Sequence, residues 1–243
     1  MLNWSIGLAR FFCDHVRPGP VTLNETESHH LIHVLRLRVG DTVEVMDGRG
    51  AVGRGIITAS GRKVAVIDVG KVQTMQARQT GRLILAASIP KGPRLDTLIT
   101  QCTELAADHI ALTIFERTVK QPHGPTFADR CRKLAIAAAK QCGRPFLPVF
   151  SGPESLAATL QTLNAEYPGV HILFGRCGRT APPVTGFEFR NDVIAFVGPE
   201  GGMTADEERL LEQHGATAVS LAENTLRVET AALAFCAICA AHR

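Results

Sequence analysis

The chain has 243 residues, enough for one large domain or for a small domain joined to a medium one. Hydrophobic residues make up 45% and aromatics 5%, an aliphatic-rich globular composition that argues against a disordered chain. With 26 basic against 23 acidic residues the formal charge is +3. That balance neither requires a nucleic-acid partner nor excludes one, because local clustering sets the field at a groove.

From Met1 to Arg10 the apolar residues are isolated, without the apolar core and small-residue cleavage site of a secretory leader. No later run is long enough to span a bilayer, so no membrane contact is expected. Seven cysteines without dense spacing point to the reducing cytoplasm. Glu25–Leu37 reads as a helix, with Leu31, Val34 and Leu35 on one face. His29 and His33 stand at i, i+4 within it but have no third metal ligand nearby, so packing or RNA contact is the expected use. Short strands follow at Thr42–Met46, Ala51–Thr58 and Lys63–Val69, separated by turn signals at Asp47–Gly50 and Ser60-Gly61. Together these suit a small β-barrel-like module over residues 1–72. The polar stretch Val72–Gly81 reads as a linker.

From residue 80 to 243 the rhythm changes. Apolar runs at Leu83–Ile89, Ile110–Phe115, Val170–Phe174, Val193–Val197 and Ala218–Leu221 look like buried strands. Helical segments fall between most of them, at Leu95–Ala107, Phe127–Gln141, Glu154–Leu163 and Ala205–His214. Fully apolar strands alternating with helices predict an α/β domain whose parallel sheet is covered on both faces. The final apolar helix, Ala231–Ala241, is too short to span a membrane and suits core or dimer packing. It carries Cys236 and Cys239 at i, i+3 with no second cysteine pair, which reads as buried structural thiols; no metal site is expected.

Two segments carry the chemistry. In the first, the strand Val193–Val197 runs into Gly198-Pro199-Glu200-Gly201-Gly202, and a helix starts after it with Thr204 and Glu207 at capping-box spacing. A strand–glycine loop–helix at the carboxyl end of a parallel sheet is a usual ligand site, and glycines let a ligand approach the backbone. The loop has neither the Lys-Ser/Thr ending of a P-loop nor G-x-G-x-x-G, and Glu200 would repel a phosphate. An uncharged adenine or a cofactor with a cationic centre suits it better. An ordinary tight turn before a capped helix fits the same residues. In the second segment, Ser220–Ala232, a strand ends, a polar loop follows and a long apolar helix begins near Arg227. Arginine in a first helical turn opposes the dipole. Either Glu229 compensates it, or Arg227 faces an anionic group such as an RNA phosphate or a uracil oxygen gaining charge.

Gly198–Gly202 with Leu226-Arg227-x-Glu229-Thr230-Ala231 resembles the SPOUT methyltransferases, and more narrowly the RsmE family, which methylates N3 of a uridine in small-subunit (16S) ribosomal RNA. Three further stretches agree, in the same order along most of the chain. His33–Arg36 with Gly40-Asp41 resembles the family's N-terminal RNA-binding (PUA-like) module. Lys91-Gly92 with Glu104-Leu105 resembles the opening of its catalytic domain. Ala138–Arg144, containing Gln141 and Arg144, resembles a third signature. The resemblance implies a homodimer, a C-terminal sheet tied in a trefoil knot, and S-adenosyl-L-methionine held bent by the knot loops. Carried over by residue, the cofactor loops are Gly198–Gly202 (Gly198, Pro199, Glu200, Gly201, Gly202), Ser220, Leu221, Ala222 and Leu226. The strand end Leu173, Phe174 and Gly175 supplies the remaining wall. Ala222 and Asn224 depart from the family's Gly and Arg, Val228 from its Thr and Lys140 from its Glu.

For N3 methylation the base must be unpaired and its N3 deprotonated. Arg227 is the expected stabiliser of negative charge on O2 or O4, with Glu200, Glu229 or solvent taking the proton. RNA grip is expected from Arg36, Arg38, Arg49 and Arg54 in the N-terminal module and from Lys91 and Arg94 after the first α/β strand. Competing readings are a ribose 2′-O methyltransferase of the same class and a non-catalytic RNA-binding assembly factor. A nucleotide-dependent enzyme is disfavoured by the missing phosphate-binding lysine.

Overall fold

The computed structural model describes residues 8–61, 63–119, 124–177 and 181–242. Residues 1–7, most of the stretch read for a leader, lie outside the described residues. The chain divides into two units. One comprises Met1–Ala77 with Ile136–Leu147, the other Arg78–Ala135 with Pro148–Arg243. The sequence boundaries, 1–72 and 80–243, did not anticipate that residues 136–147 fall with the N-terminal unit.

The N-terminal unit contains β1 (Arg10–Phe12), β2 (Gly19–Thr22), α1 (Glu25–His29), β3 (Thr42–Met46), β4 (Ala51–Ser60) and β5 (Ala65–Thr74). The strands lie in the order β1-β3-β4-β5-β2, antiparallel except for the parallel β1–β3 pair. All five strands feed one apolar cluster that includes Phe11, Val21, Val45, Ile57 and Ile67, which is how a small barrel-like module closes over its core. Leu31 joins it from the helical connection. Asn24 caps α1 by accepting from the Glu27 amide at 2.9 Å. The predicted single helix over 25–37 widens instead into a π-helical turn at His30–Val34, and Arg36 takes a left-handed φ of 55°. β5 continues to Thr74, so the linker reading began three residues early. Residues 136–147 join this unit through Gly50, whose amide donates to the Pro145 carbonyl (3.1 Å), and Leu147, whose amide donates to Gly48 (2.9 Å).

The second unit contains β6 (Leu83–Ser88), α2 (Pro93–Glu104), β7 (His109–Ile114), α3 (Pro125–Cys142, its last turns counted with the N-terminal unit), β8 (Val149–Ser155), α4 (Leu156–Glu166), β9 (His171–Gly175), β10 (Val193–Val197), α5 (Ala205–Gln213), β11 (Thr217–Val219) and α6 (Val228–Ala241). All six strands are parallel, in the order β11-β9-β10-β6-β7-β8. The unbroken burial of β6 and β10 follows from helices on both faces. α2 and α6 pack together, with α6 also on β6 and β10, while α4 packs on β7, β8 and α5. On the second face Ile84, Phe174, Ile194 and Phe196 meet Leu160, Leu163 and Leu211. Emptying one such phenylalanine site costs about 3–5 kcal/mol. The parallel order brings the carboxyl ends of β9, β10 and β11 to one edge, with β10 between β9 and β6. Among the described residues no helix is long and apolar enough to cross a membrane.

Candidate functional site

β10 delivers the chain into the glycine loop at that edge. A tight turn forms there, with the Gly202 amide donating to the Pro199 carbonyl at 2.8 Å. Gly202 has φ +77°, a left-handed angle that side chains resist. Gly198 is required for a different reason, since a Cβ there would stand 2.7 Å from Met203 Cγ. The capping box then starts α5: Thr204 Oγ1 accepts from the Glu207 amide (3.3 Å), and Glu207 Oε2 accepts from the Thr204 amide (2.8 Å).

β11 delivers the second loop. Ser220 is tied to residues 182–184: its amide donates to the Pro182 carbonyl (2.8 Å) and its carbonyl accepts from Val184 (3.0 Å). The chain then runs through Leu221–Leu226 into α6, for which Arg227 is the N-cap residue, just outside the first turn expected for it.

The two loops and the end of β9 enclose one pocket. Its wall takes Gly175 to Cys177 from β9, Val197 to Glu200 with Gly202 and Met203 from the glycine loop, and Leu221, Ala222 and Asn224 to Leu226 with Val228 and Ala231 from the last. About 560 Å³ of space free of protein atoms lies in it, including the part open to solvent. Eight of the residues expected to hold a cofactor are in this wall: Gly175, Gly198, Pro199, Glu200, Gly202, Leu221, Ala222 and Leu226. Four are not. Leu173 and Phe174 are strand residues buried in the sheet interior, because the wall begins only where β9 ends. Gly201 faces Arg117, which donates to its carbonyl at 2.7 Å, and Ser220 is spent on its backbone ties.

Charge in the pocket is largely compensated. Arg176 lines it but is held by Glu208 (2.6 Å) and Glu212 (2.9 Å) from α5. Glu200 is ion-paired with Arg94. Arg227 is exposed and lies between two wall residues, Leu226 and Val228, without being in the wall itself. Glu229 sits in the first turn of α6, 8% exposed, and its Oε2 is buried with no hydrogen-bond partner among the described residues.

The remaining basic candidates differ in their engagement. Arg49 donates to the Asp14 carbonyl and pairs with Asp47 (3.7 Å). Arg54 pairs with the buried Glu44 (3.3 Å), which also accepts from Arg10 at 2.9 Å. Arg36, Arg38 and Lys91 are exposed, with no ion pair among the described residues. Sequence reasoning missed Arg176, Cys177, Val197, Met203, Asn224, Thr225, Val228 and Ala231 in the wall. Met203 had a legible signal, being the residue that a glycine loop needs to pack on before its capped helix; the β9 extension had none.

The pocket thus lies between two loops at the carboxyl edge of a parallel sheet, the usual place for a ligand in such folds. Residues 77–240 match the family described as an RNA methyltransferase domain, and residues 23–69 match one described as an RNA methyltransferase PUA domain. Among relatives, the ribosomal RNA small subunit methyltransferase E of a Synechocystis strain is 30% identical over 226 residues, covering 90% of this chain and 72% of that protein. Its Bacillus subtilis counterpart is 27% identical over 219 residues, covering 85% and 84%. The crystal structure of a ribosomal RNA small subunit methyltransferase E from Neisseria gonorrhoeae, bound to S-adenosyl methionine, superposes with a TM-score of 0.82 at 26% identity, covering 95% of both chains. The chain belongs to the ribosomal RNA small subunit methyltransferase E family.

Proposed function

We propose that this protein methylates N3 of a uridine in 16S ribosomal RNA, using S-adenosyl-L-methionine. The observation that carries the reading is the single pocket formed by the loops after β10 and β11, with the backbone of both in its wall. The residues present fit that donor. Gly198 and Gly202 keep the floor free of Cβ atoms, Val197, Leu221, Leu226, Val228 and Ala231 make it apolar, and no lysine is in the wall to demand a phosphate. S-adenosylmethionine, when bound, supplies a methyl group carried on a cationic sulfur.

The chain's own groups prepare the acceptor. Arg227, exposed at the rim beside Leu226 and Val228, stabilises the negative charge that spreads to uracil O2 or O4 when N3 loses its proton. Of the two carboxylates, Glu200 is in the pocket wall but held by Arg94, while Glu229 lies in the first turn of α6 outside the wall with an unpartnered, buried Oε2; the unpaired Glu229 is taken as the acceptor for that proton. Holding the base against the methyl group contributes on the order of 7–11 kcal/mol at best. Exposed Arg36, Arg38 and Lys91 supply phosphate contacts. On this reading the enzyme works in the cytoplasm as a homodimer, with the trefoil knot of its class, and RNA of the small subunit or its particle is the partner.

The test has two arms. Calorimetry of the full chain with S-adenosylmethionine should give one site per protomer. Mass spectrometry of 16S RNA nucleosides from cells lacking the protein should show loss of N3-methyluridine, restored by adding it back. No donor binding refutes the pocket reading; loss of a ribose-methylated nucleoside instead moves the chemistry to the 2′-oxygen.

A further inference from the structure

The glycine loop has almost no side chains with which to hold its own shape. Glycine gives up more conformational freedom on ordering than any other residue, so a loop with Gly198, Gly201 and Gly202 needs support from outside. Besides the Arg94–Glu200 pair, that support comes from the turn Phe115–Thr118 after β7. The turn is itself fixed: the Thr118 amide donates to the Phe115 carbonyl (2.9 Å), and the Phe115 amide donates to Thr118 Oγ1 (2.9 Å). Thr118 Oγ1 also lies 3.1 Å from Ser88 Oγ at the end of β6. From this base two arms reach the glycine loop and the helix start behind it. The Glu116 amide donates to Glu207 Oε1 at 2.7 Å, gripping the residue that closes the α5 capping box. Arg117 Nη1 donates to the Gly201 carbonyl at 2.7 Å, and the stem of Arg117 fills the space beside Gly201, where a Cβ would meet Arg117 Cδ at 3.3 Å.

Resting on the donor-pocket reading above, we propose that Arg117 is a positioning residue that presets the glycine loop for S-adenosylmethionine. It is outside the pocket wall, so it acts on the donor only through Gly201 and the neighbouring Gly202 and Glu200. A guanidinium suits the task because its charge strengthens the bond to a neutral carbonyl and its fork is rigid. With the loop held beforehand, donor binding avoids the cost of ordering it.

The experiment compares the full-length protein with Arg117→Met and Arg117→Lys, by calorimetry with S-adenosylmethionine, by steady-state kinetics and by thermal unfolding. Arg117→Met should weaken donor binding about tenfold, or 1.4 kcal/mol, and raise KM for the donor. Its kcat at saturating donor and its KM for RNA should stay within about twofold of wild type, and Tm within a few degrees. Arg117→Lys, which keeps a donor at the end of a similar stem, should recover part of the affinity, as should free guanidinium added to Arg117→Met. Donor affinity within twofold of wild type in Arg117→Met overturns the proposal. So does a raised KM for RNA with donor affinity unchanged, which would make Arg117 a phosphate contact. If the wild-type chain does not bind the donor at all, the pocket reading fails first, and the two failures are thereby told apart.

Discussion

Lys140 stands where the resemblance implies Glu, and the N-terminal unit shows what it does. Its Nζ lies 2.7 and 2.9 Å from the two carboxylate oxygens of Glu27, with side-chain exposures of 12% and 9%. Glu27 Oε2 also accepts from the Phe12 amide (3.0 Å), so one carboxylate joins α1, β1 and the end of α3. Removing only the cation leaves a buried carboxylate with one amide for company, and breaking a buried pair in this way costs about 3–5 kcal/mol. For a chain of this size each kcal/mol moves the midpoint by about 2–4 °C, so Lys140→Met should lower it by roughly 6–20 °C. The double variant Glu27→Gln, Lys140→Met removes both charges and keeps an amide oxygen for Phe12. It should return to within about 1–2 kcal/mol of wild type, because a neutral packed pair is often as stable as an ion pair. Urea unfolding followed by far-UV dichroism and by proteolysis of the N-terminal unit measures both variants. A Lys140→Met loss below about 1 kcal/mol, the range of exposed pairs, would show that water already reaches Glu27 and would refute the reasoning.

Gly202→Ala should cost about 1–2 kcal/mol of stability, because its φ of +77° is left-handed, and should weaken donor binding in the same calorimetric titration. Glu229→Gln keeps the shape of the α6 turn but removes the proposed proton acceptor; kcat should fall about 10²–10⁴-fold with donor affinity intact, and an unchanged kcat would leave solvent as the base. His109 is 1% exposed, between the Tyr167 hydroxyl (3.0 Å) and Ser151 Oγ (2.7 Å), and burial pushes its imidazole pKa down against the opposing pull of Glu166. The unfolded chain then binds the extra proton first, so stability is full above about 6.5 and falls as pH drops below it. His109→Gln should flatten urea midpoints measured between pH 5 and 7; an equally steep curve in that variant would place the titration elsewhere.

What could be read from the sequence depended on how each element earns its stability. β6, β7, β9 and β10 were legible because a strand covered on both faces has to be apolar throughout, and no polar residue interrupts Val193–Val197. β8 was missed because it is an edge strand, where Ser151, Gly152, Pro153 and Glu154 can be tolerated, and its ladder shifts register opposite Ala111–Thr113. β1 and β2 were missed because three and four residues give no period to detect. In the pocket, the glycine loop and its capping box were visible because their chemistry is local, between residues three or four apart. The Arg94–Glu200 pair and the Arg117 brace were not, since their partners stand 106 and 84 positions away. The sequence reading takes Arg94 as an RNA contact and Glu200 as a cofactor-loop residue and candidate base, and a pairing between them at that separation leaves no trace in composition or spacing.

The three other positions where the resemblance implies a different residue, Ala222, Asn224 and Val228, all lie in the pocket wall. Such clustering could mean lost function or a wall that contributes mainly backbone. The backbone angles favour the second. Among the described residues the non-glycine positions with positive φ are Arg36 and Ala106, so Ala222 has an ordinary angle and nothing in its conformation required glycine. Val228 is 2% exposed and opens α6 with its side chain buried; Val and Thr have nearly the same shape, so the exchange alters one polar atom and not the outline of the wall. The positions whose geometry does demand glycine, Gly198 against Met203 and Gly202 at its left-handed angle, are both still glycine. The substitutions therefore fall where the pocket can absorb a side chain, and the residues that fix the path of its backbone are kept.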